Sequence, residues 1–204
     1  MASGRYVEAL RRYEAAQRLA PQLAQSEWTH LRIGEAYYHL GMPSHQHGRF
    51  YLGDRYAQQG DVAAALSEYL MVAQEASAPL QTVVRKRIAR TYIQMGSTLY
   101  RHGEVGPAVG WWEKALAFDS TQIQAAYFLC RAYFDQGRYH QSIDMGHSLL
   151  PHIQNQLLKA NIHANLGDSY WKLNDFRRAR QAYESSMRMD TFANYRIFKS
   201  LGGT

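Results

Sequence analysis

A chain of 204 residues with 46% apolar residues can bury a core, yet it has no run near the roughly 20 apolar residues that span a bilayer. Its single cysteine, Cys130, excludes an internal disulfide framework and any zinc site built on several cysteines. A net charge of +6 invites a nucleic-acid reading, but charge alone speaks about solubility and partners and not about the fold. No apolar run of signal-peptide type stands at the N-terminus, so a cytoplasmic setting is expected for the segment.

Periodicity, glycine punctuation and the scarcity of alternating β-branched runs predict an all-α chain. In order, the predicted helices are 4–20, 25–40, 46–59, 61–77, 80–102, 104–118, 121–136, 138–149, 152–173, 175–189 and a short terminal one at 192–200. A first kind of helix carries a large apolar residue, a small one, then a ring or leucine three places on: IGEAY (33–37), LGDRY (52–56), MGSTL (95–99), LCRAY (129–133) and LGDSY (166–170). Each is followed by a turn residue suited to a helix C-terminus, Gly41, Gly60, Gly103, Gly137 or Asn174.

A second kind shows a large residue, an alanine three on and an aromatic four further, as in GRYVEALRRYEAA (4–16), GDVAAALSEYLMV (60–72), GEVGPAVGWWEKA (103–115) and NDFRRARQAYESS (174–186). The copy at 137–149 departs from it, with Ser142 and Gly146 in the key columns. Small residues let helices approach closely while large ones fill the opposing groove.

These columns, with Pro21 closing the first unit, resemble the tetratricopeptide repeat over about nine tenths of the chain. The resemblance implies a right-handed α-solenoid of antiparallel helix pairs. Successive small positions 34, 53, 96, 130 and 167 are spaced 19, 43, 34 and 37 apart, so helices 80–102 and 152–173 are expected to be longer than standard. Between Gly41 and the helix near 46 stands only MPSHQHG, where a repeat would place a whole second helix. Either that helix is missing or 44–59 serves in its place, with Phe50 and Gly53 in the key columns.

A register break at 42–47 is therefore expected. It would divide the chain into an N-terminal half-repeat plus one helix (1–41), a solenoid of about four helix pairs (48–190), and a capping helix and tail (191–204). The chain opens in mid-repeat, which suggests a fragment of a longer protein or an end completed by a second copy.

No HExxH, phosphate-cradling glycine loop, GxSxG or paired acid constellation occurs, so neither an enzyme site nor a cofactor is expected. His45 and His47 lack a third ligand at suitable spacing. Arg85, Lys86, Arg87, Arg90 and Arg101 form an acid-free basic segment that reads as a solvated helix face before it reads as a nucleic-acid patch.

In tetratricopeptide solenoids the first helices line a concave surface that holds an extended peptide. Carried over, the resemblance implies inward-facing Glu35, Asp54, Ser97, Arg131 and Asp168, with Tyr38, Tyr100, Phe134 and Trp171 three places on. Tyr127 lies four before Arg131, and Asn165 is a further polar candidate; Phe50 and Ile93 occupy the same column as Tyr127. The expected groove is aromatic with scattered acids that select a partner's basic groups. Those acids disfavour a terminal carboxylate ligand. The expected role is a non-catalytic scaffold for a protein or peptide, with nucleic acid disfavoured and no membrane insertion of this segment. The alternative is the soluble repeat domain of a larger bacterial membrane-associated transferase or envelope or secretion assembly protein.

Overall fold

A computed structural model describes residues 2–20, 22, 23 and 26–189. Pro21 and the expected capping segment 191–204 lie outside these. Among the described residues there are ten α-helices and no strand: α1 Ala2–Leu19, α2 Glu27–His39, α3 Gln46–Gln58, α4 Val62–Glu75, α5 Ala78–Arg101, α6 Val105–Phe118, α7 Ile123–Asp135, α8 Tyr139–Leu149, α9 Gln156–Lys172 and α10 Phe176–Met189. The predicted helix at 152–173 starts later than expected. Leu150–His152 forms a single 3-10 turn, and Asn155 caps α9 by accepting the Leu158 N–H at 2.9 Å.

The turn residues Gly41, Gly60, Gly103, Gly137 and Asn174 all have positive φ, which ends a helix without strain at the glycines. Ser26, Asp61 and Asn155 cap the helices they precede with side-chain oxygens.

The described residues group into two compact units, one through Tyr92 and one from Ile93, with the boundary inside α5. In the first unit, α3 packs on both α2 and α4. A Cβ at Gly34 of α2 would collide with the His47 carbonyl and lie 2.8 Å from Tyr51 Cβ, so α3 serves α2 as a second helix. A Cβ at Gly53 would lie 2.7 Å from the Tyr69 ring, so the same α3 serves α4 as a first helix. Of the two readings of 42–59, this is the one in which 44–59 stands in for the second helix. No helix intervenes between His39 and Gln46.

The second unit repeats one lock. A Cβ at Gly96 would lie 2.6 Å from Trp112 Nε1, and one at Gly167 would collide with the Tyr183 ring. The Trp112 indole N–H donates to the Ile93 carbonyl at 3.2 Å, which satisfies its polar edge inside the core. Ala108, Ala115, Ala125, Ala132, Ala160 and Ala179 are fully buried. The repeat of α7 and α8 inverts the scheme: Gly146 occupies the aromatic column, and Leu166 of α9 fills the space, 2.8 Å from where a Cβ would be.

That inversion leaves polar groups inside. The Ser142 hydroxyl lies 2.7 Å from the Cys130 carbonyl and 2.8 Å from Asn165 Oδ1, and accepts from the Ser169 hydroxyl at 3.2 Å. Cys130 Sγ is 3.1 Å from Asn165 Oδ1. Burial pushes the thiol up to about 11, so it stays neutral at ordinary pH.

Candidate functional site

The candidate groove residues of the second unit sit on the C-terminal part of α5, on α7 and on α9. Ser97 is half-buried and its hydroxyl donates back to the Ile93 carbonyl at 2.8 Å, so it is occupied within its own helix. The Tyr100 hydroxyl donates to Asp135 Oδ2 at 2.5 Å and shares a side-chain hydrogen bond with Arg131. This joins the end of α5 to α7. Burial, reinforced by Asp135, holds the Tyr100 hydroxyl above the usual phenol range.

Arg131 is exposed, and Tyr127 and Phe134 are half-buried beside it on α7. Phe134 makes a tilted ring contact with Tyr139, 5.6 Å between centroids. On α9, Asp168 accepts the Tyr183 hydroxyl at 2.7 Å, and Asn165 belongs to the buried cluster around Ser142. Trp171 is 45% exposed and stands edge-on to Phe176, itself 53% exposed, at 4.9 Å. Phe176 was absent from the expected groove. It lies at the start of a second-type helix, where the repeat pattern calls only for a large residue.

In the first unit, Glu35 is ion-paired with Arg32 at 2.7 Å, and Tyr38 lies under Arg55 and beside Tyr51. Asp54 departs from the expectation of a groove-facing acid. It is only 8% exposed, bound to Arg87 at 2.9 Å and to Gln58 at 2.9 Å, with the Tyr69 hydroxyl at 3.5 Å. Burial, then the Asp54 charge, raise the Tyr69 hydroxyl far above the usual range. Phe50 and Ile93 are likewise core residues, at 0% and 5% exposure.

The same network changes the basic segment. Arg87 is ion-paired with both Glu27 and Asp54, and Arg90 reaches Glu27 at 3.4 Å. Arg101 donates to the Ser97 carbonyl and the Thr98 hydroxyl. Arg85 and Lys86 are exposed. Arg87 and Arg90 are thus neutralised inside the first unit, by acids from helices that sequence spacing along one helix does not reveal.

Among the described residues no group of three or more His, Cys, Asp or Glu side chains is placed to hold a metal ion. None of the described helices is long and apolar enough to cross a membrane.

Residues 121–191 match the tetratricopeptide repeat family. No curated protein matches the chain. Among solved structures, MamA of AMB-1 is similar at 15% identity, covering 93% of this chain and 92% of its own, with a TM-score of 0.55. MamA of MSR-1 is similar at 15% identity over 93% of this chain and 97% of its own, with a TM-score of 0.50. The N-terminal domain of stress-induced protein-1 from C. elegans is similar at 16% identity, covering 62% of this chain and 99% of its own, again with a TM-score of 0.50. At these identities the likeness is one of fold. Residues 121–191 are thus tetratricopeptide repeat sequence, and the chain has the helix-pair fold of the tetratricopeptide repeat proteins.

Proposed function

We propose that this chain is a non-catalytic scaffold that binds a protein or peptide segment across the first-helix face of its second unit. The observation that carries the reading is the exposure of Arg131 and Trp171, with Tyr127 and Phe134 half-buried beside them, on α7 and α9. Aromatic rings give contact area at low entropy cost, and an exposed guanidinium adds directional hydrogen bonding. The acids expected to select a basic ligand support that part less. Asp168 already accepts the Tyr183 hydroxyl, while Glu35 and Asp54 are ion-paired within the first unit.

Nucleic-acid binding through 85–101 is the weaker reading, because Arg87 and Arg90 are engaged by Glu27 and Asp54. The test is affinity capture on the intact chain and on the Arg131→Glu, Trp171→Ala double variant, with matched melting curves. Proteins retained by the parent chain should fall at least about tenfold on the variant. Capture of the same set at the same level by both would overturn the groove assignment.

A further inference from the structure

The N-terminus of α3 gathers imidazoles that function has not yet used. His45 is the N-cap: its Nδ1 accepts the His47 backbone N–H at 3.3 Å, which requires that nitrogen to carry no proton. His47, in the first turn, shares a ring-to-ring hydrogen bond with His30 of α2 at 3.1 Å, and this needs one N–H and one lone pair. The other ring nitrogen of His47, Nδ1, is buried without a hydrogen-bond partner. His30 itself is 3% exposed, and the Tyr37 ring stacks on His45 at 3.8 Å.

The backbone is tightly packed around the rings. A Cβ at Gly34 would strike the His47 carbonyl, and one at Gly48 would lie 2.7 Å from the Met42 carbonyl. We propose that the α2–α3 joint is a proton-operated release, in which acidification, by protonating the His30, His45 and His47 cluster, frees α2 from α3 while α3 stays paired with α4.

Three physical effects point the same way. A cation at a helix N-terminus opposes the macrodipole, and a protonated His45 Nδ1 can no longer cap. Burial, then the repelling charges of His30 and His45, hold His47 down to about 3; burial also lowers His45. On the packed elements, Glu35 of α2 pairs with Arg32, Glu27 of α2 and Asp54 of α3 with Arg87 of α5, and Glu68 of α4 with Arg49. From α1, Tyr6 stacks on His39 rather than on the cluster.

A histidine whose folded value lies below its unfolded one contributes full stability above about pH 6.5, and that contribution is lost as pH falls through the window down to about 3. His47, kept neutral in the closed joint, then favours opening about 30-fold between pH 7.5 and pH 5.

The test is amide hydrogen exchange on the intact chain at both pH values, corrected for intrinsic rates. Protection across 29–50 should fall by about 30-fold or more while α7 to α9 hold theirs. His47→Gln, and His45→Asn, which keeps an N-cap acceptor, should each shrink that response. Should His47→Gln unfold at pH 7.5, His45→Asn alone decides. The proposal is overturned by unchanged protection at pH 5, by equal loss in α7 to α9, or by an undiminished response in His45→Asn.

Discussion

At Gly167 the Tyr183 ring occupies the room a methyl group would need, and the ring is pinned in turn by its hydroxyl on Asp168. Gly167→Ala should therefore destabilise the second unit by about 1–3 kcal/mol, because a rigid ring cannot give way as a flexible chain would. Gly110, in α6, has nothing within 4 Å of a built Cβ, so Gly110→Ala should stabilise by about 0.5–1 kcal/mol through helix propensity alone. Thermal or urea melts of the two variants should move in opposite directions. Cys130 gives a third check: buried and raised to about 11, it should react with a thiol reagent only at the rate of local unfolding. The glycine columns were legible in sequence, because a small residue in a fixed repeat position has only one packing use. The role of Asp54 was not legible, since the repeat register aims it at a groove while Arg87, from another helix, turns it into a buried ion pair.

Among elements, α5 illustrates how much a helix can be asked to do. Its first turns supply Leu80, Val83, Val84 and Ile88 to the core, while Arg87 and Arg90 on the adjoining face reach back to Glu27 of α2. Arg87→Ala should strip Asp54 and Glu27 of their main counter-charge and cost the first unit about 2–3 kcal/mol. Equilibrium unfolding should show the loss, and a companion Asp54→Asn should recover part of it, because the orphaned charge is then gone. The unusual length of this helix was readable from the spacing of the small columns. The late start of α9 was not, because Pro151 and Leu150 wind a 3-10 turn that periodicity alone extends into the helix. Asn155, a good N-cap residue, was the overlooked signal.

For the molecule as a whole, the all-α architecture and its helix-pair repeat were carried by aggregate pattern, since five degenerate copies agree where any single copy would be weak evidence. The two compact units were not visible, because their boundary falls within an uninterrupted helix and leaves no loop, proline or glycine cluster to mark it. On this scale the binding proposal separates from stability. Trp171→Ala changes an exposed side chain, so its melting midpoint should stay within a few degrees while partner capture falls; Arg131→Glu also removes the hydrogen bond to Tyr100, and its matched melt separates that cost from the loss of capture.

The double membership of α3 also bears on how such a chain can be rebuilt. A repeat array normally gains or sheds units in whole helix pairs, because a cut between pairs leaves every remaining helix with its mate. At α2, α3 and α4 no such cut exists: removing α2 with α3 orphans α4, and removing α3 with α4 orphans α2. Lineages or designs that lengthen this scaffold are therefore expected to splice elsewhere, for instance in the turn between α6 and α7, because α2 and α4 both depend on α3.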